Sequence, residues 1–594
     1  MSRLKFELGD FLFISIHIFL VLMLCSQSNN PKNVSRLKNA GLLRTSTIPS
    51  VFGKQGYTVR QDTSDPDWLL LETWIILLPY LVFYLIFSCS LSIILPNDCG
   101  RFGQVTRIVF CVVFLLYYVG LALVVDLFVL FALGILLGFL FCRKQLFIWL
   151  IFCGILGYSN DLLHSPLFQR HLFQHPIADL SSVFSLIYSA HYLSVLRAIS
   201  VALTVAELYC QCPKSFCHTE PNSKSKTYGW NLLDVMEYVF YPYTFFIGPL
   251  TTFDDWLSHV CKRPSNQSIR IANLTGRIRL LTCYSILFRA GRLMCWYIFW
   301  SAVLCLMYPN ALMWYAESWH VPEDQSAVGP WRARGLVIHS GVLCFAGFVS
   351  AIHFYFLHLL FYGIPAVFAD LEQYLIGDDH SVPKDFQMVS CAERGPEVNT
   401  SSCIRSQSLT VSSTAQLCLV PAPPSCVYHI VLFSEMWRHI YFPLRGAFNS
   451  DSNNHNFFRS VLGFASPFLF VLLFHSISQG NCVWAAFNLF QVASERTVKR
   501  LQQHSEFGAM LRQRFSARTF EWLSAFMRTV SWFFSVLAFV FFRFGFPIGL
   551  QFAQHVAFTP GAILVFVDLF CAQFVIAKIN TIWNYRRFPV GFNL

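Results

Sequence analysis

The chain has 594 residues, of which 55% are hydrophobic and only 13% charged, whereas a soluble globular chain carries roughly 25% charged residues. That balance, with a mean hydropathy of +0.51, excludes a soluble globular protein, and the long apolar runs do not alternate in polarity as the strands of a membrane barrel must. The formal net charge of +11 is scattered over the polar segments, so it reads as topology signal and headgroup contact rather than a nucleic-acid surface. The expected class is an all-α polytopic membrane protein.

A bilayer core about 30 Å thick takes roughly 20 apolar residues per helix. In chain order, candidate spans cover 11–27, 70–95, 107–124, 125–142, 145–158, 181–207, 231–250, 280–307 and 335–368. A last group covers 428–447, 457–478, 482–494, 521–548 and 558–582. Segments 231–250 and 428–447 carry Pro, Gly and charge, and read as re-entrant or partly buried in protein, where irregular backbone is tolerated. About ten to twelve crossings are expected. The basic start Met1-Ser-Arg-Leu-Lys precedes an apolar run from Phe11 to Cys25. With no clear small-x-small cleavage site after it, that run reads as a retained helix rather than a signal peptide.

Between the spans, residues 28–66 are polar, and 373–427 are rich in Ser, Thr, Pro and charge, which predicts disorder. Residues 495–518 hold Arg496, Lys499, Arg500, Arg512, Arg514 and Arg518 against only Glu495 and Glu506, which predicts a cytosolic loop. Asn-x-Ser/Thr sequons stand at Asn33, Asn266, Asn273 and Asn399, a motif common by chance. The 20 Cys are dispersed, without a zinc pattern or a disulfide framework. A transporter would be expected to carry paired intramembrane charges and an internal repeat, and the sequence displays neither.

One residue stands out. His475 lies in the apolar run Val461-Leu-Gly-Phe-Ala-Ser-Pro-Phe-Leu-Phe-Val-Leu-Leu-Phe-His-Ser. An ionisable side chain in such a stretch is a functional hypothesis by default, set against a packed or helix-capping histidine. Around it lie Phe433-Ser-Glu-Met-Trp-Arg-His-Ile-Tyr-Phe-Pro-Leu-Arg-Gly upstream and Cys482-Val-Trp-Ala-Ala-Phe-Asn downstream. Further back are Tyr238-Val-Phe-Tyr-Pro-Tyr-Thr-Phe-Phe-Ile-Gly-Pro-Leu, Arg289-Ala-Gly-Arg-Leu-Met-Cys-Trp, Leu306-Met-Tyr and Gly363-Ile-Pro-Ala.

On these motifs, with Arg197 and Glu207, the chain resembles the membrane-bound O-acyltransferases (MBOAT), and among them the Hedgehog acyltransferase branch. Members of that branch attach palmitate to an N-terminal cysteine amine. The resemblance runs from about residue 185 to 580, and the first 180 residues match mainly in hydropathy. It implies an MBOAT-like helical bundle with re-entrant segments and a central chamber or tunnel. It also implies a palmitoyl-CoA donor, a secreted Hedgehog-type acceptor with N-terminal Cys, and the endoplasmic reticulum or Golgi membrane. His475 would be the active-site histidine, Asn488 its polar partner, and Trp437 and Trp484 chamber walls. Cys426, eleven residues before Trp437, matches the spacing of a haem thiolate in that branch.

The chemistry fits. Acyl transfer from a thioester to an amine needs a neutral amine, a base for its proton, and donors for the developing oxyanion. An apolar chamber favours the neutral imidazole, the form that accepts a proton. Each buried methylene contributes about 0.8 kcal/mol, so a long acyl tail can bind through its chain. Arg438, Arg496, Lys499 and Arg500 are candidates for the coenzyme A phosphates, or else topology charges.

Two departures matter. The family places an acid shortly after Met-Trp-Arg, on a helix of roughly ten residues. Here Met436-Trp-Arg runs directly into His439-Ile-Tyr-Phe-Pro, and only Glu435 and Asp451 lie near. The family also frames its histidine as Trp-His-Gly, where this chain has Phe474-His475-Ser476. The Gly-to-Ser change is mild if the backbone there is helical. Three explanations stand for the absent acid: an active enzyme relying mainly on His475, a non-catalytic relative that binds lipid or regulates other proteins, or a sequence lacking a short exon. The expected organisation is N-terminal helices over 1–180, a first core part over 181–372, a disordered loop over 373–427 and a second core part over 428–594. The expected function is the palmitoyl transfer above, with a catalytically impaired scaffold or a lipid O-acyltransferase as alternatives.

Overall fold

A computed structural model describes residues 8–48, 57–95, 100–163, 180–211, 230–248, 250–261, 275–315, 330–376, 468–503 and 517–587. Nearly all are helical, because apolar segments out of water must satisfy their backbone groups internally. The helices are α1 (Leu8–Ser28), α2 (Pro31–Asn39), α3 (Pro66–Ile75), α4 (Leu78–Ile94), α5 (Gly100–Tyr118), α6 (Leu121–Leu140) and α7 (Gln145–Leu163). There follow α8 (Leu180–Gln211), α9 (Leu232–Val239), α10 (Phe253–Cys261), α11 (Thr275–Leu306), α12 (Pro309–Trp314) and α13 (Pro330–Ile376). After residues 377–467, which lie outside the described set, come α14 (468–474), α15 (Gln479–Gln503), α16 (Ala517–Phe558) and α17 (Pro560–Arg587). Among the described residues, six helices are long and apolar enough to cross a bilayer, or seven if the bent pair α3–α4 counts as one. The protein is an all-α polytopic membrane protein.

Several boundaries differ from the sequence reading for local reasons. The run 70–95 is bent by 46° between α3 and α4. Pro79, in the first turn of α4, has no N–H to donate and its ring crowds the preceding turn. The polar stretch 28–66 is not a plain loop: Asn30 caps α2, and Leu43–Ile48 pairs antiparallel with Tyr57–Asp62 as a two-stranded ribbon, β1 and β2. The Asn33 sequon lies within α2, where the Asn33 amide donates to the carbonyl of Gln27 at 3.0 Å. The predicted disordered loop, from residue 377 on, and the span 428–447 lie outside the described residues.

The described residues form two compact units. The first draws on Met1–Trp68, Trp296–His358 and Pro424–Leu594, and the second on Leu69–Cys295 and Leu359–Pro423. In the first, α1 packs on α17 and α17 on α16. His17 Nδ1 lies 3.1 Å from the Asp568 carboxylate, which is 1% exposed. Asp62 Oδ2 accepts the backbone N–H groups of Asn310 and Ala311, both at 2.9 Å, and so caps the start of α12.

In the second unit, α6 and α8 approach closely because small residues face each other. A Cβ on Gly138 would stand 2.7 Å from the carbonyl oxygen of Ala202, and one on Gly134 would stand 2.9 Å from that of Ala198. His191 bridges Asp126 at 2.6 Å and Ser159 at 2.8 Å, tying α8 to α6 and α7. Arg197 secures the Tyr241-Pro242 turn, donating to the Val239 carbonyl at 3.2 Å, to Thr244 Oγ1 at 2.8 Å and to the Thr244 carbonyl. Segment 231–250 is therefore a short helix, α9, started by an Asn231–Asp234 capping box, and then buried irregular backbone held by an arginine. The sequence displayed no paired intramembrane charges, yet the helices bring such pairs together: Asp126 with His191, His17 with Asp568, and Arg289 with Asp370 at 2.7 Å. Their partners come from segments distant in sequence, so no local pattern announces them.

Replacing Gly138 by Leu is expected to destabilise the protein by about 1–3 kcal/mol through overpacking against the α8 backbone. The thermal midpoint in detergent checks this, with Leu137→Ala as a core control.

Candidate functional site

His475 does not sit inside a helix. The span expected over 457–478 is described from 468; its helix α14 ends at residue 474, four residues short of the expected end, and α15 begins at Gln479, three residues before the expected start of the next span at 482. The His475 N–H still bonds the Val471 carbonyl at 3.0 Å, and the chain then turns at Ser476, with φ +73°. The Gly-to-Ser departure therefore falls on a left-handed position, not a helical one, where an L side chain costs about 1–2 kcal/mol. Asn481 compensates the broken ladder, its Nδ2 donating to the carbonyls of His475 at 3.0 Å and of Ser476 at 2.8 Å. Ser478 caps α15, its hydroxyl accepting the Asn481 N–H at 3.2 Å.

The turn docks on α16. A Cβ on Gly480 would stand 2.5 Å from the carbonyl oxygen of Phe541 and 3.2 Å from Gly545 Cα. That approach falls where α16 itself is broken at Gly545, φ +83°. It sets the His475 ring edge-on to Phe542, with centroids 5.0 Å apart and planes at 90°, and 4.9 Å from Phe474 on its other side. Trp484 is buried and lies 5.1 Å from the same Phe542 ring, backed by Phe468. Phe468, Trp484 and Phe542 with Ala485, Val492 and Ala538 form an apolar wall.

The His475 side chain is exposed. His17, His191, His353, His358 and His555 each have a polar partner. Neither ring nitrogen of His475 bonds to any group among the described residues.

The other candidates divide. Trp484 lies in the wall beside the histidine. Asn488 is 1% exposed, and its Nδ2 donates to the Trp484 carbonyl at 2.6 Å, one turn back on α15. The amide that holds the His475 turn is that of Asn481. Trp437, Arg438 and Cys426 lie outside the described residues, as do Glu435 and Asp451. The positions Arg496, Lys499 and Arg500 fall on the last turns of α15. Among the described residues, no group of three His, Cys, Asp or Glu side chains is arranged to hold a metal ion.

A polar cluster that the sequence reading missed belongs to the same unit. Asp65 caps α3, its Oδ1 accepting the Asp67 N–H at 2.8 Å and the Trp68 N–H at 3.3 Å, and it also pairs with Arg543. Arg543, next to Phe542, bonds Asp67 at 3.0 Å as well. His353 is buried between the Trp300 indole, which donates to Nδ1, and Asp65 Oδ2 at 2.8 Å. An indole N–H can only donate, so it meets the Nδ1 side of the ring and leaves Nε2 to face Asp65. The signal available was Asp62-Thr-Ser-Asp-Pro-Asp-Trp68, three acids ahead of an apolar run, with three histidines inside the span 335–368.

The chain is similar to the mouse protein-cysteine N-palmitoyltransferase HHAT, with 23% identity over 327 residues that cover 53% of this chain and 49% of that protein. The chain thus spans about half the length of the curated relative it matches. No family model matches. The similarity supports an MBOAT-like reading at the level of the superfamily rather than of one branch.

Two substitutions test the turn. Ser476→Gly is expected to stabilise the protein by about 1 kcal/mol by relieving the left-handed position. Asn481→Ala is expected to destabilise it by about 1–3 kcal/mol, by leaving the His475 carbonyl without its donor and the Ser476 carbonyl with the Ser478 N–H alone. Both are read from unfolding in detergent, and Gly480→Ala should resemble Asn481→Ala because its methyl meets backbone.

Proposed function

We propose that the protein is a membrane acyltransferase that moves a long acyl chain from acyl-CoA to an acceptor nucleophile at His475. The observation that carries this reading is the contrast among the histidines. In an apolar setting where the others are bonded to carboxylates, hydroxyls, carbonyls or an indole, the His475 imidazole is presented at a helix break with its nitrogens uncommitted among the described residues. Such a group can accept a proton from an incoming nucleophile without first breaking an internal bond. The aromatic wall of Phe474, Phe542 and Trp484 suits an acyl chain, since apolar burial is roughly proportional to area and needs no directional contact.

The finer assignment rests on the resemblance in the motifs and on the similarity to the mouse palmitoyltransferase. In it the donor is palmitoyl-CoA, the acceptor is the N-terminal cysteine of a secreted Hedgehog-type protein, and the membrane is that of the endoplasmic reticulum or Golgi. The amine attacks the thioester carbonyl, a C–N bond forms and the C–S bond breaks, and His475 takes the amine proton. Trp437 and Arg438 are proposed to line the donor site, and Asn488 supports the helix that bears Trp484. Haem at Cys426 is not part of the proposal.

One observation favours a second reading. Among the described residues no acid bonds His475, which suits a non-catalytic scaffold. The deciding experiment uses the purified full-length protein, labelled palmitoyl-CoA, and three acceptors: a Cys-first peptide, the same peptide N-acetylated, and a monoacylglycerol. Transfer to the free-amine peptide is expected, with His475→Ala reducing it about 100-fold or more. Equal transfer by both proteins would remove His475 from the mechanism. Transfer only to the glyceride would favour a lipid O-acyltransferase, and none by wild type the scaffold.

A further inference from the structure

The unit that bears His475 has two ends, and both are basic. From Ala517 to its break at Gly545, α16 runs roughly 40 Å at about 1.5 Å per residue, more than a bilayer core of about 30 Å. The Ala517 end joins the basic loop 495–518. There α17 returns, with Phe574 4.7 Å from Trp522, and ends in Lys578, Arg586 and Arg587. The Gly545 end holds Phe542 and His475, and it also holds the connection from α1 to α3. Trp314 of α12 lies 5.4 Å from Phe544, Asp62 caps α12, and Asp65 and Asp67 bond Arg543.

That connection is a basic module. No acidic residue occurs between Phe11 and Gln61. Helix α2 buries Val34 and Leu37 and leaves Lys32, Arg36 and Lys38 exposed, and the β1–β2 ribbon leaves Arg44 and Arg60 exposed. The module is fastened to its unit: Asn29 donates to the Leu306 carbonyl at 3.2 Å, the Ser28 hydroxyl donates to that of Met307, and the Leu42 N–H bonds the Leu37 carbonyl at 3.0 Å. Among the described residues, none of the five cationic side chains pairs with an acid.

The positive-inside rule accounts for basic residues at only one end of a bundle. The Ala517 end has the stronger claim, with the loop 495–518, the end of α17, and Arg3 and Lys5 ahead of α1, whose far end at Ser28 meets the module. The module then faces away from the cytosol. Anionic lipid, the other common partner of juxtamembrane Lys and Arg, belongs to the cytosolic leaflet. Five uncommitted cations on the opposite side therefore fit an anionic partner outside the cytosol, and a secreted acceptor approaches His475 from that side.

We infer that the exposed basic face of α2 and the β1–β2 ribbon docks the protein acceptor of the acyl transfer proposed above, through an Asp- and Glu-rich segment of that acceptor. The surface steers and holds the acceptor and takes no part in the chemistry, so it acts on KM rather than kcat. Docking in this form presupposes the acyltransferase reading with a protein acceptor, so one arm of the test needs no turnover.

The first arm measures transfer by the full-length protein to three Cys-first peptides that share a spacer and end in a short tail of Glu, Gln or Lys. At low salt the Glu-tailed peptide is expected to have a KM about tenfold below that of the Gln-tailed one, with equal kcat, and about 0.5 M salt should remove the advantage. In Lys32→Glu/Arg36→Glu/Lys38→Glu the order of the tails should reverse, with KM for acyl-CoA and the thermal midpoint unchanged. Lys32→Gln/Arg36→Gln/Lys38→Gln should remove the preference without reversing it. Equal KM for the three tails with an active wild type would overturn the docking surface and leave the acyltransferase reading intact. So would a triple variant that alters only KM for acyl-CoA, which would assign the cations to the donor phosphates, or one that loses only attachment to phosphatidylserine vesicles, which would assign them to a membrane. The second arm follows binding of the fluorescent Glu-tailed peptide by anisotropy. Tighter binding by wild type than by the charge-reversed variant is expected, and equal binding by the two would overturn the surface even if wild type transfers nothing.

Discussion

A backbone break in apolar surroundings leaves donors and acceptors that water cannot satisfy. The turn between residues 474 and 479 interrupts the helical ladder, and one side chain bridges most of the gap, with the Ser478 N–H also reaching the Ser476 carbonyl. Asn481 gives both hydrogens of its amide to the carbonyls of His475 and Ser476. The rest of the site depends on that clamp. It allows Ser476 its left-handed conformation, starts α15 at the residue where Gly480 can meet the α16 backbone, and so fixes the distance between His475 and Phe542. The break turns the histidine out beside a wall of rings.

Elsewhere polar groups within the helices serve to hold helices together. His191 joins three helices through Asp126 and Ser159, and Arg197 fastens a stretch of irregular backbone. Such pairing is the ordinary answer to the cost of an ionisable group out of water. It is also the background against which His475 is informative, since among the described residues that side chain has no structural bond. The cluster around Asp65, Asp67 and Arg543 lies between these cases. It anchors α3 and α16.

Much of the architecture was legible in the chain. Runs of about 20 apolar residues specify helices that cross a bilayer, because no other backbone arrangement satisfies itself there. The short helix and buried turn at 231–248 were signalled by Pro and Gly beside charge. What remained hidden depends on pairing across long separations or on single φ angles. The β1–β2 ribbon has too little apolar alternation to declare itself. The break after Phe474 has no proline to mark it, and its cause, the Asn481 amide, is an ordinary polar residue until the carbonyls it bonds are known. His475 was singled out as an ionisable residue in an apolar run, and Trp484 through the motif that follows it. Asp65, Asp67, His353, His358 and Arg543 are scattered over nearly 480 positions, as the Arg543–Asp65 pairing records, and nothing local links them.

The central claim is that the acyl chain lies against the wall of Phe474, Phe542 and Trp484 with its thioester at His475. A palmitoyl-CoA analogue bearing a diazirine near the carboxyl end tests it directly. Irradiation of the purified protein, followed by peptide mass spectrometry, should label the segments 468–503 and 525–556, and excess unlabelled palmitoyl-CoA should abolish that labelling. Competable labelling confined to helices of the other unit, with none on these two segments, would contradict the account.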